Sequence, residues 1–273
     1  MINISVSIVI FQSDLEMLAE AIKALRASCL HAALSIPIRC TLDLVNNKAG
    51  DIENDKISAL ARGFSNSLFS IELICAPYNG GYGAGNNISL SRNTASDFHL
   101  VLNPDVLISE RSILNALTYM ASNLDIGLLT PQVRGFDGTL HRLCKQHPTL
   151  LDMLIRSAGS DLIRMLFRER IIRYEMQNRD YSKLIRPVPY PTGCFMFFRR
   201  LILTQIGGFD EGYFLHYEDA DMGRKVSIIS ETAYVPDVTV LHKWSRDSHK
   251  SWHMRWVTIK SGLRYWRKWG GVW

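Results

Sequence analysis

The feature that most constrains the fold of this 273-residue chain is an alternation of strand-like and helix-like segments through its first half. Apolar, β-branched runs recur between segments with helical spacing of apolar residues, and the first such segment follows Ser13 and Glu16, which fit a capping box. This alternation predicts an α/β fold, with a mostly parallel sheet covered by helices on both faces. The predicted strands cover residues 4–11, 42–46, 71–76, 98–102, 126–130, 195–198 and 238–241, and the later predicted helices cover 110–120, 149–186 and 219–229.

The segments that follow the first predicted strands are polar or glycine-rich. In sheets of this kind, ligands bind beyond the carboxyl ends of the strands. We therefore expect the binding site at this edge of the sheet. The segments in question are Gln12-Ser13-Asp14, Asn46-Asn47, residues 77–87 and Asn103-Pro104-Asp105.

The composition is that of an ordinary globular protein. Hydrophobic residues make up 47% of the chain and charged residues 21%, which excludes a disordered chain, and the length fits one substantial domain, alone or with a small appendage. No apolar stretch is long enough to cross a membrane, and residues 1–5 lack the basic start of a signal peptide, so we expect a cytoplasmic protein. The five cysteines are widely spaced and predict neither disulfides nor a zinc site.

The chain has a net charge of +5, and its positive charge is concentrated in residues 243–273, which contain eight Lys or Arg and one acid. All six tryptophans lie in the same segment. Apolar residues in this tail recur at helical spacing, which predicts a helix lying in the plane of an anionic membrane surface. The alternative is that this stripe packs on the rest of the protein. A nucleic-acid patch is disfavoured because no recognition motif accompanies the charge. The stripe consists of Trp252, Trp256, Ile259, Leu263 and Trp266.

Residues 209–221 combine five carboxylates with four aromatic side chains, directly after Gly207-Gly208. Carboxylates resist burial whereas aromatic side chains favour it, so this acidic segment predicts a walled site where acids meet a cation or a transferable proton. The alternative is that the acids complement the positive end of the helix predicted at 219–229. That reading accounts for some of the acids but not for all of them together with the aromatics.

The sequence Asn103-Pro104-Asp105 follows a strongly apolar predicted strand. Proline fixes its own backbone and favours an extended Asn103, so two polar side chains are presented rigidly at the end of the strand. A carboxylate there suits a hard ion such as Mg²⁺ or Mn²⁺, although the same sequence also occurs as a simple turn. His242, after the predicted strand at 238–241, could add an imidazole ligand, or could be structural.

Residues 79–87 form a glycine-rich loop after the third predicted strand. Glycines let the backbone approach a ligand closely, and the N-terminus of a following helix favours phosphate. The fingerprint of nicotinamide-dependent enzymes fails, because residue 86 is asparagine where a third glycine is required. An oxidoreductase is therefore disfavoured.

The order of these motifs resembles that of family 2 glycosyltransferases of the GT-A fold, and most of all the bacterial rhamnosyltransferases of cell-surface polysaccharide synthesis. The resemblance runs from about residue 4 to about residue 248. The matching motifs are Asn46-Asn47, Asn79-x-Gly81-Tyr82-Gly83-Ala84-Gly85-x-Asn87, Leu102-Asn103-Pro104-Asp105, Thr192-Gly193-Cys194-Phe195, the acidic segment and His242.

The resemblance implies a role for each matching position. Asp105 matches the second acid of the metal-binding DxD motif, and Asn103 replaces the first. Asp219, next to Glu218, matches the general base that deprotonates the acceptor hydroxyl, and His242 matches a histidine that completes the metal site in several relatives. The other expected nucleotide-sugar contacts are Gln12, Asn46, Asn79, Gly81, Tyr82, Gly83 and Asn87, and the expected acceptor or sugar pocket comprises Gly193, Cys194, Tyr213, Phe214, Tyr217 and Asp221.

One position departs from the family pattern. Asn46 stands where the family usually has an aspartate that accepts a hydrogen bond from a pyrimidine ring. The carbonyl of an asparagine can still accept that bond. Pyrimidine binding remains the expectation, with the identity of the base left open.

The implied reaction is a single inverting displacement that uses Mg²⁺ or Mn²⁺. The expected donor is dTDP-L-rhamnose, and the expected acceptor is a lipid-linked glycan of O-antigen or capsule synthesis at the inner face of the cell membrane. The expected organisation is a catalytic domain at 1–248, with a nucleotide-sugar half at 1–131 and an acceptor-binding and catalytic half at 132–248, followed by a membrane-associating tail at 249–273.

Other functions remain open from the sequence. One is a different UDP- or dTDP-hexose transferase of the same fold, and another is a sugar-phosphate nucleotidyltransferase, which would release pyrophosphate. A third is a non-catalytic, membrane-associated module that binds sugar nucleotides. The acids at 105 and 219 argue against the third.

Overall fold

A curled mixed sheet forms the centre of the computed structural model, which describes residues 1–48, 51–157, 160–243 and 252–270. Its strands are β1 (Ile2–Ile10), β2 (Ile38–Asn46), β3 (Phe69–Cys75), β4 (Phe98–Leu102), β5 (Val106–Ile108), β6 (Ile126–Arg134), β7 (Leu140–His141), β8 (Phe195–Arg199) and β9 (Glu231–His242). The helices are α1 (Leu15–Ala33), α2 (Asp51–Phe64), α3 (Tyr82–Arg92), α4 (Ser112–Ser122), α5 (Leu150–Ser157), α6 (Asp161–Leu166), α7 (Arg168–Tyr174), α8 (Arg200–Gln205), α9 (Glu218–Ile229) and α10 (Trp252–Trp269).

The first four strands form a parallel half-sheet in the order β3-β2-β1-β4. They are the apolar runs that the sequence predicts as strands, and their side chains supply much of the main hydrophobic core. Helices lie around this sheet, so the α/β prediction is confirmed. The carboxyl ends of these strands meet at one edge, as parallel pairing requires.

The second half of the sheet continues the order with β8-β6-β9-β5. β8 runs antiparallel to both β4 and β6, with Leu102 opposite Phe195, so the loop before β8 lies at the carboxyl end of β4. β5 pairs antiparallel with β9, and Val106 lies opposite His242. Two segments far apart in the chain are thereby joined at the binding edge.

Helix α1 begins one residue later than the predicted capping box. Its N-cap is Asp14, not Ser13, and the Asp14 carboxylate accepts hydrogen bonds from the backbone N–H groups of Glu16 and Met17 at 3.0 and 3.3 Å. A carboxylate at the N-cap also complements the positive end of the helix, so it is favoured over the neighbouring hydroxyl.

The prediction of continuous helix over 149–186 is wrong. The structure contains three short helices, α5 to α7, and then a turn-rich segment. In that segment Tyr181, Ile185 and Val188 bury their side chains against Tyr234 of β9. Packing on the sheet therefore outweighs helix propensity here, and prolines from residue 187 onward remove the backbone donors that a helix needs.

Candidate active site

A cavity of about 1420 Å³ lies at the carboxyl ends of β4 and β9 and extends between the α5–α7 region and α10. This volume exceeds the roughly 300–1,000 Å³ usual for sites that hold one small ligand. Half of the predicted site residues line it, although they come from five separate parts of the chain. They are Tyr82, Asn103, Asp105, Gly193, Cys194, Tyr217, Glu218, Asp219 and His242.

Asp105 and His242 are brought together by the pairing of β5 with β9. The His242 Nε2 atom lies 3.3 Å from Asp105 Oδ1, and the Lys243 N–H donates to the Asp105 carbonyl at 3.2 Å. Burial alone would lower the pKa of His242, but hydrogen bonds with Asp105 and Cys194 raise that pKa to about 10. The imidazole therefore carries a proton in this ion pair, and a metal ion bound by Nε2 would replace it.

The pair fits part of a metal site rather than a complete one. A carboxylate and an imidazole suit Mn²⁺, and the carboxylate suits Mg²⁺. Among the residues that the structure describes, no group of three or more His, Cys, Asp or Glu side chains could hold a metal ion. Substrate phosphates would have to supply the remaining ligands, which is the usual arrangement for these ions.

Asp219 lies in the first turn of α9, on the wall of the same cavity. The Gly193 N–H donates to Asp219 Oδ2 at 3.2 Å, which fixes the orientation of the carboxylate. A side chain at position 193 would have its Cβ 3.1 Å from that of Asp219. A Cβ there would press on the Asp219 side chain by a few tenths of an ångström, so glycine suits the loop before β8 that supports the predicted base.

Glu218 is buried beside Asp219, and its Oε2 atom has no hydrogen-bond partner among the described residues. Burial, and then repulsion from Asp219, raise the pKa of Glu218 to about 8. The preceding residue, Tyr217, holds φ at 68°, a left-handed conformation that turns the chain sharply into α9. The raised pKa of Glu218 favours its neutral form, because its carboxyl group is buried next to another acid.

Tyr82 connects two parts of the cavity wall that are distant in the chain. Its hydroxyl donates to Asn103 Oδ1 at 2.8 Å and lies 3.0 Å from the Gly193 carbonyl. Asn103, which replaces the first acid of the DxD motif, is therefore held by a tyrosine from the glycine-rich loop. No sequence pattern predicts this contact, because the residues are distant in the chain.

The glycines of the glycine-rich loop approach protein atoms. Gly81 has φ 91°, and a Cβ there would lie 2.1 Å from the carbonyl oxygen of Phe214. That same carbonyl accepts the first helical N–H of α3, from Tyr82, at 3.0 Å. A Cβ at Gly83 would lie 3.0 Å from Phe209. The loop and the acidic segment thus pack backbone against backbone, and this accounts for these glycines without a ligand.

Asn47 and Asn79 brace the same loop. Asn47 Nδ2 donates to the Gly81 carbonyl at 2.9 Å, and the Gly81 N–H donates to Asn79 Oδ1 at 3.1 Å. Asn47 Oδ1 is buried without a hydrogen-bond partner among the described residues. By contrast, Asn46 donates to Asn54 at 2.7 Å and accepts from the Lys48 N–H at 2.9 Å, so its own amide is occupied within the protein.

Gln12 and Asn87 also lie off the cavity wall. Gln12 is exposed after β1 with φ 52°. Asn87 exchanges two hydrogen bonds with the backbone of Phe209, both at 2.9 Å, and donates to Glu211 at 2.9 Å. The side chain of Asn87 therefore holds the acidic segment against α3, a positioning role that the sequence did not indicate.

Asp221 and Tyr213 lie elsewhere than in the predicted acceptor pocket, and this corrects their assignment. Asp221 is fully buried and accepts hydrogen bonds from Trp269 Nε1 at 2.7 Å and from Lys268 Nζ at 2.9 Å. Tyr213 is fully buried under Arg264, whose guanidinium lies 5.4 Å from the ring centre. Both residues anchor α10 to the acidic segment.

Phe214 is exposed and contributes its backbone carbonyl to the cap of α3. Arg264 and Lys268 of α10 also form ion pairs with Asp210, at 2.6 and 2.9 Å. Two acids of the acidic segment are therefore accounted for by the basic tail. The divided roles of the segment explain why its composition fits neither a purely catalytic nor a purely capping interpretation.

Helix α10 packs through the face that carries Ser261, Tyr265 and Trp269, whereas most of the predicted apolar stripe points away from the protein. Trp252 is 72% exposed, Trp256, Ile259 and Leu263 are exposed, and Trp266 is half-buried. The helix thus packs on the rest of the protein, but through a face other than the predicted stripe, of which four members are exposed. The predicted boundary at 248/249, with Trp244 and Trp273, lies outside the described residues.

Among the residues described, no helix is both long and apolar enough to cross a membrane.

The cavity also has a basic and apolar half, part of which comes from residues 149–186. Its wall includes Lys145, Arg164, Arg168 and Arg255 beside several isoleucine and methionine side chains. The only available signal was the interleaving of arginines with apolar residues in 149–186. That pattern is equally typical of an amphipathic surface helix.

Comparison with known proteins gives rhamnosyltransferases among the sequence relatives. The chain is 33% identical over 151 residues to an N-acetylglucosaminyl-diphospho-decaprenol L-rhamnosyltransferase of Mycobacterium tuberculosis, covering 54% of this chain and 47% of that protein. It therefore spans about half the length of this relative. It is 27% identical over 241 residues to rhamnosyltransferase WbbL of Escherichia coli, covering 81% of this chain and 86% of WbbL. No protein-family model matches the chain.

Solved structures share the fold at low sequence identity. A mannosyltransferase from Pyrobaculum calidifontis, PcManGT, in complex with GDP-Man and Mn²⁺, has a TM-score of 0.64 at 14% identity, over 98% of this chain and 65% of that one. Residues 1–349 of Staphylococcus aureus TarS in complex with UDP give 0.58 at 16% identity, over 89% of this chain and 61% of that one.

The fold is that of the GT-A glycosyltransferases, which confirms the predicted class. The sequence relatives that the chain resembles are named rhamnosyltransferases.

Proposed function

We propose that this chain is a metal-dependent, inverting rhamnosyltransferase that moves a sugar from dTDP-L-rhamnose to a lipid-linked glycan in O-antigen or capsule synthesis. The observation that carries the proposal is the shared cavity, which is lined by both the Asp105–His242 pair and the Glu218-Asp219 pair. The names of the sequence relatives favour rhamnose over other hexoses and a lipid diphosphate acceptor over a soluble one.

On the donor side, Asp105 and His242 would hold Mg²⁺ or Mn²⁺ against the diphosphate of the nucleotide sugar. The ion would neutralise negative charge on the departing nucleoside diphosphate. Asn103, held by the Tyr82 hydroxyl at 2.8 Å, would orient the sugar or ribose by hydrogen bonding. The half of the chain at 1–131 would thus bind the donor.

On the acceptor side, Asp219 is the proposed general base. An acceptor hydroxyl oxygen would form the new bond to the anomeric carbon as the bond from that carbon to the diphosphate breaks, and Asp219 would take the hydroxyl proton. The Gly193 N–H donates to Oδ2 of this carboxylate at 3.2 Å and the Ala220 N–H donates to Oδ1 at 2.9 Å, and a carboxylate oxygen that accepts one hydrogen bond keeps a lone pair that can take the proton. Because the base and the leaving group act on opposite faces, the anomeric configuration inverts.

The proposed location of the acceptor at a membrane surface rests on helix α10. The exposed stripe of α10, with basic residues around it, is suited to the surface of an anionic membrane, and we propose peripheral association with its cytoplasmic face. A lipid-linked acceptor would then be presented at the surface where the enzyme sits. Residues 132–248 would form the acceptor-binding and catalytic half, with the tail beginning near residue 249.

The test is Asp219→Asn, with Asp237→Asn as the matched control because Asp237 is an exposed aspartate on β9. With dTDP-L-rhamnose, Mn²⁺ and a polyprenyl-diphosphate-linked N-acetylglucosamine acceptor, we expect Asp219→Asn to lower turnover by about 100-fold or more. The thermal shift caused by dTDP with Mn²⁺ should stay as in the wild type.

Two results would contradict this assignment. Wild-type turnover by Asp219→Asn would exclude this residue as the base. Release of pyrophosphate in place of nucleoside diphosphate would instead identify a nucleotidyltransferase.

A further inference from the structure

Two exposed apolar surfaces flank the cavity. The first is the α10 stripe, whose exposed members are Trp252, Trp256, Ile259 and Leu263. The second, which we call the α6 patch, consists of Leu162, Met165, Leu166 and Phe167. Leu166 is 70% exposed, and every residue of α6 is at least partly exposed. Exposed apolar side chains scattered singly are common, whereas clusters mark interaction sites.

The two surfaces border the same opening. The α6 region contributes Arg164 and Arg168 to the wall of the cavity, and α10 contributes Met254, Arg255 and Ile259. Ile259 belongs to both the stripe and the cavity wall, so the stripe is continuous with the site. The α6 patch does not line the cavity itself, but it adjoins the wall residues Arg164 and Arg168 in the chain.

The charge around the two surfaces is predominantly positive. Arg164 and Arg168 are exposed within the α6 patch, and neither forms an ion pair with another described residue. Residues 252–270 contain no acid, and Lys260 and Arg267 are exposed beside the stripe. Asp161 and Glu169 oppose this charge only at the α6 side. Apolar side chains interleaved with exposed cations are the pattern expected of a surface that binds anionic lipid.

We propose that the α6 patch and the α10 stripe form one bipartite docking surface for an anionic bilayer, with the mouth of the cavity between them and turned toward the lipid. The inference extends the proposed function, on which the nature of the entering substrate rests, and assigns the second half of the contact to a helix well separated from the tail. Two contacts define a plane of docking, whereas α10 alone would leave the molecule to rotate about the helix axis. The opening would then face lipid-borne acceptors directly.

The experiment is vesicle flotation of the full chain with phosphatidylcholine vesicles that contain phosphatidylglycerol. In the variant Leu162→Gln/Leu166→Gln we expect bound protein to fall about tenfold or more, because two apolar side chains no longer enter the interface. The control is Leu201→Gln/Ile228→Gln, which alters two equally exposed apolar residues of α8 and α9 that do not line the cavity. The control should bind like the wild type.

Three outcomes would overturn the proposal. Equal binding by the α6 variant and its control would leave α10 as the whole contact, and equal binding to vesicles without phosphatidylglycerol would remove the charge argument. Concentration-dependent dimerisation abolished by the α6 substitutions would assign the patch to a second copy of the chain. The thermal shift with dTDP and Mn²⁺ is measured in parallel, so that failure of the proposed donor site is distinguished from failure of docking.

Discussion

The buried ion pair that attaches α10 to α9 can be tested with the substitution Lys268→Met. The carboxylate of Asp221 is fully buried, with Lys268 Nζ 2.8 Å away and Trp269 Nε1 2.7 Å away. Methionine keeps most of the volume of lysine but removes its charge. The substitution therefore leaves a buried carboxylate without its nearest cation.

The expected cost follows from what remains around Asp221. Breaking a buried ion pair by removing one partner costs about 3–5 kcal/mol. The Lys268 side chain is 29% exposed, and Lys225 still lies 3.8 Å from the carboxylate. Because solvent and Lys225 both partly compensate the charge of Asp221, we expect a destabilisation of about 2–3 kcal/mol, or a melting temperature lower by roughly 5–10 °C.

The assay is urea unfolding at neutral pH, with Lys260→Met as the matched control on the exposed part of the same helix. Asp221→Asn should cost less than Lys268→Met, because Lys268 would keep its ion pair with Asp210 at 2.9 Å. If the unfolding free energy of Lys268→Met lies within about 0.5 kcal/mol of that of Lys260→Met, the buried pair does not hold the helix and the reasoning fails.

Two further substitutions test the site itself. Glu218→Gln should remove a pH dependence: the pKa of Glu218 is raised to about 8 in the folded chain, so the wild type binds an extra proton and its stability should fall, by on the order of a few kcal/mol, as pH rises from about 4.5 to 8. Parallel urea curves for both proteins across this range would contradict that burial effect. Gly81→Ala should cost about 3 kcal/mol or more, because φ is 91° and the new Cβ would lie 2.1 Å from the Phe214 oxygen. Gly63→Ala in α2, with nothing within 4 Å, should instead stabilise by up to about 1 kcal/mol in the same thermal unfolding assay, and a similar loss in both variants would refute the backbone contact.

Much of the fold could be predicted, because buried strands are marked by local runs of apolar residues. The run that ends at Leu102 is buried at every residue, so apolar character alone identifies β4. Strand β5 is also apolar, but its run of three residues is too short to predict a strand, and its pairing with β9 makes it one. Helix α2 was missed because its apolar residues are sparse among charged ones.

The candidate site was predictable where function depends on a residue's place after a strand. Asp105 and His242 follow predicted strands, and the structure brings them to 3.3 Å. The basic half of the cavity was not predictable, because Arg164 and Arg255 belong to helices that meet only in three dimensions. Tertiary packing decides which distant helices line the same cavity. An amphipathic helix has the same sequence pattern whether or not it lines a cavity.

The sequence by itself determined the α/β class, the edge where ligands bind and the acids available there. The tertiary structure decided which acid lines the cavity and which is buried in an ion pair. Asp219 and Asp221 are two residues apart, and a helix turns about 200° over that interval, so only one of them can face the cavity. Asp219 faces the cavity, and Asp221 is buried against Lys268, a partner supplied by a helix distant in sequence. Local sequence fixes the angle between two side chains, but only packing fixes which of them meets the substrate.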